Sequence, residues 1–526
     1  MKNDLRKAIA KIVAAGFQIS PEALDMLSRR DDAYDIACKV IEGISKMEDK
    51  PLIITPEIIS NFDVKKEEEN EELIDIREIK IEETILFDPT EHIFTESDIT
   101  GFINYFISRF KKIRKILMSE RFDVRGAITI KQAKNWSITR RDKVKIIGMV
   151  ANKKKASGGG LILELEDLTG IINAVVTERN KELLRKAEKI IKDEVICIEG
   201  RITGSGEAIL VTDVMWPEIP ISGKRIREEP ENIYAVLISD LHIGSRFFMR
   251  SAFNRFILWI NGRIGTEKQK RIARRVKYII IAGDIVDGIG VYPGQEKELL
   301  VKDLKIQYKM AAEYLAQIPE YITIIIIPGN HDATRQALPS PAIFQDYATP
   351  LYDMKNIRIL GDPAYIRLYK TTFLITHGKS LDDILAKVPG VRYDRPAQAM
   401  IELLRRRHLA PVYGERTQLA PEAEDLLVIE RIPDVFHAGH IHTYEYLNYR
   451  GVLIVNSGTW QEQTDYMKSM GVKPNPGKVT IVDISTGRIE SVIDFSEKQE
   501  IKIPTENTQA PVGSSDSIQN FRRSNQ

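Results

Sequence analysis

The chain has 526 residues, more than one hydrophobic core normally serves, so several domains are expected. With 43% hydrophobic and 29% charged residues, its composition is that of a globular protein and excludes a fibrous or largely disordered chain. Lys and Arg number 76 against 75 Asp and Glu, and this near balance neither requires nor excludes a nucleic-acid partner.

Cysteine usage and the apolar segments exclude further classes of protein. Cys38 and Cys197 are the only cysteines and both lie in apolar surroundings, so neither a disulfide framework nor a thiolate metal site is expected. The N-terminus lacks the apolar core of a signal peptide, and the longest apolar runs, such as ITIIIIP, are far shorter than a membrane span. The sequence therefore predicts a soluble, cytoplasmic protein without a membrane partner.

The N-terminal part is predicted to hold two helical segments joined by a linker. Apolar residues recur at helical spacing through residues 1–50, which indicates a small helical module. Residues 51–95 are interpreted as a charged linker, because their run KKEEENEE repels itself and stays solvated. Thr95 and Asp98 make an N-cap arrangement for one long helix over residues 96–122.

Residues 125–220 change to a pattern of short strands. Five predicted strands, with a helix between the third and the fourth, match the order of an OB-fold barrel; a generic small β-barrel that serves as a spacer is the alternative. The first connection carries Lys153, Lys154 and Lys155 before three glycines. We interpret it as a flexible basic loop that suits a DNA backbone, or else as a solvated hairpin tip.

Residues 231–500 have a third sequence pattern, in which nearly continuous apolar runs alternate with helical segments. Such runs predict strands that are buried on both faces, hence a layered α/β domain. The polar tail 501–526 contains Pro, Ser and Gly and is predicted to be disordered. In open α/β sheets the ligand site lies beyond the carboxyl ends of the strands, so the polar residues that end these apolar runs are the candidates for chemistry.

Metal-ligand residue types follow the predicted strands in order. They are Asp240, His242, Asp284, Asn330, His377, His440 and His442, with His331 directly after Asn330. The two members of Asp240/His242, and those of His440/His442, are two residues apart and are predicted to face one side of an extended segment. One such residue is more often structural, but the ordered set predicts a two-metal hydrolase of phosphate esters.

The motifs that carry these residues, DLHIG, GDIVD, GNHD, HG and GHIH, resemble those of the calcineurin-like metallophosphoesterase superfamily over residues 234–495. The resemblance implies that one divalent cation is held by Asp240, His242, Asp284 and His442. It implies that a second is held by Asp284, Asn330, His377 and His440, with manganese as the expected metal. His331 would contact the phosphate and donate a proton, while Asp287 and Asp332 would orient ligands. The last residue of GNHD is also typical of phosphodiesterases and nucleases in this superfamily.

The order of domains is similar to that of the small subunits of archaeal DNA polymerase D, within the polymerase B-subunit family. The resemblance implies a multidomain fold: an α/β metallophosphoesterase sandwich preceded by a β-barrel OB-fold and a small N-terminal helical domain. It also implies a 3′–5′ proofreading exonuclease that acts on single-stranded or mismatched DNA ends, in a heterodimer with a large polymerizing subunit. Whether the chain contacts a sliding clamp is left open, since the segment QNF near the C-terminus is too short to count as a clamp-binding motif.

Other interpretations remain at this stage. The chain could be a free-standing metallophosphodiesterase or phosphatase on small phosphoesters, or a non-catalytic scaffold for the large subunit. The basic segments 262–277 and 403–408 could follow a DNA backbone or could be ordinary solvated helix faces.

Overall fold

The computed structural model describes most of the chain. The described residues are 2–28, 33–45, 51, 53–56, 58–59, 76, 81–93, 99–136, 143–203, 205–221, 231–469 and 471–496. Contacts divide the chain into two units, residues 1–79 and 80–526. Among the described helices, none has both the length and the apolar character needed to cross a membrane. The predicted charged run 65–72, the predicted N-cap at Thr95 and Asp98, and the predicted tail 501–526 lie outside the described residues.

The first unit is helical, as its periodicity indicates. It contains α1 (Lys2–Ala14), α2 (Pro21–Ser28) and α3 (Ala33–Ser45), with a two-residue parallel pairing of β1 (Gln18–Ile19) and β2 (Ile53–Ile54). Ile12, Val40 and Ile44 are buried in one apolar cluster, which Ile54 and Ile59 complete. The core of this unit therefore draws on residues beyond the predicted module 1–50.

A closed five-stranded barrel follows helices α4 (Ile99–Glu120) and α5 (Ile130–Trp136). Its elements are β4 (Val144–Lys155), β5 (Leu161–Asp167), β6 (Gly170–Val176), α6 (Lys181–Glu188), β7 (Val195–Ile202) and β8 (Ala208–Met215). Its strands close in the order β4-β5-β6-β8-β7, and β6 and β8 are parallel. The predicted arrangement, with one helix between the third and fourth strands, is confirmed.

The prediction of a flexible basic loop in the barrel is wrong. Strand β4 continues to Lys155, and a tight turn then joins it to β5. The Lys153 Nζ donates hydrogen bonds to the main-chain oxygens of Glu188 (2.6 Å) and Ile190 (2.7 Å), just after α6. Its ammonium group therefore serves the carbonyl end of this helix, where a cation is favourable, whereas Lys154 and Lys155 are exposed.

Two six-stranded sheets form the α/β part of the second unit. The first has the order β12-β11-β10-β9-β18-β19, and the second has the order β16-β17-β15-β14-β13-β3. The strands of the first sheet are β9 (Tyr234–Ile238), β10 (Val276–Ala282), β11 (Thr323–Ile327), β12 (Ile357–Ile359), β18 (Lys478–Asp483) and β19 (Arg488–Asp494). Those of the second are β3 (Glu83–Phe87), β13 (Ala364–Leu368), β14 (Thr371–Ile375), β15 (Val435–Ala438), β16 (Tyr444–Tyr449) and β17 (Val452–Ser457).

Strand β3 corrects the prediction of a linker over residues 51–95. It pairs antiparallel with β13 and forms the edge of the second sheet. A 3-10 turn over Pro89–Glu91 follows, and the Asp88 carboxylate accepts hydrogen bonds from the main-chain N–H groups of Thr90 (2.9 Å) and Gly361 (3.0 Å). The short, half-buried segment ETILF is an edge strand. The sequence does not indicate it clearly, because acidic residues flank this short apolar run.

Within the described residues, seven helices accompany the two sheets. They are α7 (Arg250–Ile260), α8 (Glu267–Arg274), α9 (Leu304–Leu315), α10 (Gln345–Tyr352), α11 (Leu381–Lys387), α12 (Pro396–Arg406) and α13 (Asp465–Ser469). Phe253 of α7 and Tyr308 of α9 share an apolar core with Ile279 of β10. Met400 of α12 shares another with Phe436 of β15. These two cores support the strand ends at which the candidate ligands lie.

A buried ionic cluster joins α4 to the barrel and to the α/β part. Arg109 is fully buried, and its Nε lies 2.8 Å from Asp425 Oδ2. Its Nη1 donates to the main-chain oxygens of Asp193 (3.1 Å), just before β7, and of Pro411 (2.6 Å). His408 contacts the same Asp425 oxygen through Nε2 at 2.8 Å. Because a buried guanidinium needs partners for its charge and its N–H groups, these contacts constrain three segments at once.

The basic segment 403–408 does not present a surface for DNA. Arg406 and Arg407 are buried, and they pair with Glu194 and with Glu120 (2.7 Å) respectively. Their charges neutralise carboxylates inside the protein, so the interpretation that this segment follows a DNA backbone is wrong.

We expect Arg109→Met to lower the free energy of unfolding by about 3–5 kcal/mol, because it leaves the Asp425 carboxylate buried without its charged partner. Urea denaturation followed by tryptophan fluorescence measures this change. As a control, Lys143→Met removes an exposed pair with Glu199 (2.8 Å) and should cost less than about 1 kcal/mol. Equal losses in the two variants would contradict a special role for the buried cluster.

The pH dependence of stability should report His408. Its Nδ1 accepts the Ala410 N–H at 3.0 Å, and burial, together with Arg109, lowers the pKa of His408 to about 4. Between that value and the ordinary 6.5, the unfolded chain binds a proton that the folded chain does not. Stability should therefore fall as the pH is lowered through this window. We expect His408→Gln to lose less thermal stability than the wild type when the pH is lowered from 7 to 4.5. Equal losses in the two proteins would refute this assignment.

Candidate metal centre

All seven predicted ligands meet at the carboxyl ends of five strands. Asp240 and His242 follow β9, Asp284 follows β10, and Asn330 follows β11 in the first sheet. From the second sheet come His377 after β14, and His440 and His442 after β15. The ligand atoms of Asp240, His242 and His442 lie within 4.8 Å of one another, as do those of Asp240, Asp284 and His377. The sequence order of the motifs thus becomes one cluster in space.

The backbone at these positions is unusual. In the described part of the chain, 11 residues other than glycine have positive φ, and five of them are Asp240 (52°), His242 (50°), Asp284 (53°), His440 (70°) and His442 (60°). The predicted extended alternation within each pair is therefore wrong, since left-handed backbone turns both members toward the site. Each such residue costs roughly 1–3 kcal/mol, and such strain concentrates at functional sites.

The glycines of the motifs let the backbone pass close to the carboxylates. A Cβ atom at Gly329 would lie 2.1 Å from Asp284 Oδ1, and one at Gly439 would lie 2.3 Å from Asp240 Oδ2. Both distances are far below van der Waals contact. The glycines in GNHD and GHIH are thus required by the packing of the site itself.

A first group of ligand atoms gathers around His242. Its Nε2 lies 3.0 Å from His442 Nε2 and 3.7 Å from Asp284 Oδ2, and His442 Nε2 lies 3.2 Å from Asp240 Oδ1. His242 Nδ1 lies 3.0 Å from Asp287 Oδ1, a carboxylate oxygen that can only accept, so this nitrogen carries the proton. Burial lowers the pKa of His242, which keeps the ring neutral. Its Nε2 lone pair therefore faces the cluster, as a metal ligand requires.

A second group gathers around His377. Its Nε2 lies 3.0 Å from Asn330 Oδ1, 3.3 Å from Asp284 Oδ2 and 3.3 Å from His440 Nδ1. Its Nδ1 donates to the main-chain oxygen of Ala282 at 2.9 Å. The Asp284 Oδ2 atom therefore lies between the two groups and is within 4 Å of a histidine from each.

The charge at this position fits a cation. Although burial opposes ionisation, His377 and His331 hold the pKa of Asp284 well below its ordinary range. Burial also opposes protonation of His377, yet Asp284 raises its pKa to about 10. The negative charge of Asp284 thus keeps a proton on His377. A divalent cation at this position would compete with that proton for the ring nitrogen. Carboxylate, imidazole and amide oxygen together suit manganese, iron or zinc.

His331 lies beside this cluster, and its ligand atom lies within 4.8 Å of those of His242 and Asp287. Its Nδ1 donates to the main-chain oxygen of Asp287 at 2.6 Å, and its Nε2 lies 4.0 Å from Asp284 Oδ2. The side chain keeps 13% of its surface exposed and lines a cavity of about 290 Å³, together with Asn330 and His440. Its free nitrogen therefore faces the space that a substrate would occupy.

The two predicted orienting carboxylates have different contacts. Asp287 holds His242, as described, and accepts a second hydrogen bond from Gln461 Nε2 at 3.2 Å. Asp332 accepts from the main-chain N–H of Gly329 (2.9 Å) and of Ile285 (3.2 Å), and it does not line the cavity. Burial, followed by the nearby Asp284, raises the pKa of Asp332 to about 6. Its carboxyl group thus links the loops after β10 and β11.

Sequence reasoning missed several residues of the cavity. Asp382 Oδ2 lies 3.3 Å from His440 Nε2, and Lys379 lines the cavity nearby. Both follow the HG motif within five residues, which was a usable signal. Tyr292 and Tyr466 also line the cavity, but they come from a loop and a short helix that are distant in sequence, and only the folded chain brings them together.

Two family models match parts of the chain. Residues 235–446 match the family model for the B subunit of DNA polymerase alpha/epsilon, and residues 144–216 match that of the OB-fold nucleic acid binding domain. The second match, with the closed barrel, confirms the predicted OB-fold.

Relatives match over most of the chain. The DNA polymerase II small subunit of Pyrococcus furiosus is 41% identical over 86% of this chain and 72% of its own length. That of Methanothermobacter thermautotrophicus is 39% identical over 91% of this chain and 98% of its own. A solved archaeal phosphodiesterase overlaps 50% of this chain and 99% of its own at 16% identity, with a TM-score of 0.26 that is too low to support an argument.

We expect Gly329→Ala to weaken uptake of divalent cations, because its Cβ would displace the Asp284 carboxylate. Metal content after loading with Mn²⁺, measured by mass spectrometry on folded protein, tests this. Gly158→Ala is the matched control, since a Cβ there meets nothing within 4 Å. Equal metal content in both variants would contradict the role of Gly329 in placing the Asp284 carboxylate.

Proposed function

Because the chain belongs to the family of archaeal DNA polymerase II small subunits, it is part of a DNA polymerase complex, and we propose that it brings a two-metal 3′–5′ exonuclease to that complex. Its partner is then the large subunit, to which we assign DNA synthesis. Family membership argues against a free-standing enzyme for small phosphoesters. We also propose the cytoplasm as its location, since a replication subunit of a cell without a nucleus works there.

The observation that carries the exonuclease proposal is the pair of ligand groups that share Asp284. A scaffold without catalysis has no need for seven ligand-type side chains in one cluster, five of them on left-handed backbone. The hydrogen bonds of His242 to Asp287 and of His377 to Ala282 turn each Nε2 atom inward. This arrangement supports binding of two cations, with Asp284 as their common ligand.

Two divalent cations, manganese by the family resemblance, would supply the charge that holds a phosphate and lowers the pKa of an attacking water. Asp240, His242 and His442 would hold one, Asn330, His377 and His440 the other, and Asp284 both. The chain itself keeps these side chains aligned without rearrangement, because hydrogen bonds already fix the rings of His242 and His377.

We propose His331 as the proton donor to the leaving oxygen. Its Nδ1 stays protonated through the bond to the Asp287 main-chain oxygen, so the proton that can be exchanged sits on Nε2. The His331 side chain lines the cavity. In hydrolysis of a terminal phosphodiester it would deliver this proton to the departing 3′ oxygen of the shortened strand.

The size and charge of the cavity support a nucleic-acid end as the substrate. At about 290 Å³ it lies at the small end of the usual range for ligand sites, roughly 300–1,000 Å³, which suits a single terminal nucleotide better than a duplex. Lys379 and Arg416 line it and offer positive charge to phosphate oxygens. We propose that the OB-fold barrel adds affinity for the strand, with the exposed Lys154 and Lys155 as candidates for backbone contacts.

We expect His331→Ala to lower the rate of removal of a mismatched 3′ nucleotide by about 100-fold or more, because it removes the proton donor. Asp284→Ala should abolish it together with metal binding. The assay uses the full chain, alone and with the large subunit, on 3′-mismatched DNA with Mn²⁺, and chelation by EDTA should stop the reaction.

His92→Ala is the matched control, since His92 is exposed and lies outside the site. It should retain wild-type activity. Equal degradation by the wild type and by both site variants would overturn the catalytic assignment, and activity on small phosphoesters alone would return the free-standing enzyme as the better interpretation.

A further inference from the structure

Two stacked tyrosines line the cavity on the side of His331. The rings of Tyr292 and Tyr466 lie 4.7 Å apart, with 21° between their planes. Tyr466 keeps 47% of its surface exposed, although one face of its ring rests on Tyr292. The centroid of the Tyr292 ring lies 6.2 Å from that of His331. An exposed aromatic face thus lies close to the proposed reaction centre.

Glu298 holds this aromatic pair in place. Its Oε2 accepts a hydrogen bond from Tyr292 Oη at 2.6 Å, and its Oε1 accepts one from the main-chain N–H of Asp465 at 3.0 Å. Asp465 begins α13, the short helix that carries Tyr466. One carboxylate therefore joins the loop of Tyr292 to the helix of Tyr466, so the exposed ring is already ordered before a ligand arrives.

We propose that Tyr466, backed by Tyr292, stacks on the base of the terminal nucleotide whose phosphate is hydrolysed. This inference rests on the proposed exonuclease function and names the part of the substrate that the site recognises. A planar ring gives affinity to every base, because each has a π face, and so it suits an enzyme that must remove any of the four nucleotides.

A purely structural role for the pair explains the observations less well. A core tyrosine is normally buried, whereas Tyr466 is half exposed at the edge of a cavity that also holds His331 and Asn330. The nearby Lys379 and Arg416 supply positive charge for phosphates. The aromatic pair would therefore distinguish a nucleotide from a small phosphoester.

The experiment compares two single-stranded oligonucleotides that differ only at the 3′ terminus, one with a normal base and one abasic, using the full chain with Mn²⁺. We expect Tyr466→Ala to lower kcat/KM for the normal oligonucleotide about tenfold and to leave the abasic one unchanged. Tyr466→Phe should behave as wild type. Tyr347→Ala, which removes an exposed tyrosine outside the cavity, is the matched control.

A second readout does not depend on hydrolysis. With 2-aminopurine as the terminal base and Ca²⁺ in place of Mn²⁺, we expect fluorescence quenching on binding to the wild type and to Tyr466→Phe, and none with Tyr466→Ala. Anisotropy shows that the oligonucleotide is bound in each case.

The two proposals fail in different ways. If the wild type degrades DNA but Tyr466→Ala slows both oligonucleotides equally, or neither, the stacking proposal is overturned while the exonuclease stands. Quenching that requires Tyr466, without hydrolysis by the wild type, would support the base site and overturn the exonuclease. Absence of both quenching and base discrimination in the wild type would overturn the base site as well.

Discussion

The site depends on the position of one carboxylate. Asp284 Oδ2 lies 3.7 Å from His242 Nε2 and 3.3 Å from His377 Nε2, and therefore belongs to both groups of ligand atoms. To reach this place Asp284 adopts left-handed backbone, Gly329 leaves no Cβ in its way, and the His331 N–H donates to its other oxygen at 2.8 Å. Any change that moves this carboxylate would separate the two groups.

The surrounding fold offsets the cost of this arrangement. Five ligand residues on left-handed backbone cost several kcal/mol in all. The apolar strands β9, β10 and β11 pair in parallel and are buried over most of their length. A rigid sheet can hold strained residues at its edge because the rest of each strand cannot relax with them.

The buried arginines Arg109 and Arg406 connect the barrel with the α/β part. Arg109 connects α4 with the segments before β7 and around Asp425, and Arg406 of α12 pairs with Glu194 beside the barrel. These contacts set the OB-fold barrel against the α/β part within one unit. They therefore give the barrel a defined place relative to the cluster of candidate ligands.

Much of the fold follows from local pattern. Continuous apolar runs identified the main buried strands, and the order of barrel strands around one helix indicated the OB-fold. Residues at strand ends identified all seven candidate ligands and His331, since strand ends are set by where the apolar run stops. Strand β3 was not predicted, because a five-residue edge strand beside an acidic run has no strong periodicity.

What the sequence by itself determined is the set of chemical groups and their order; what the tertiary structure decided is their conformation and their partners. No local pattern shows that Asp240 and His242 converge through left-handed backbone, that Lys153 serves the end of a helix, or that Arg406 is buried against a glutamate. Tyr292 and Tyr466 are 174 residues apart, and Glu298 contacts both the loop of the first and the helix of the second. Periodicity reports the neighbours of a residue along the chain, whereas the burial and pairing of a charge depend on segments that are distant in sequence.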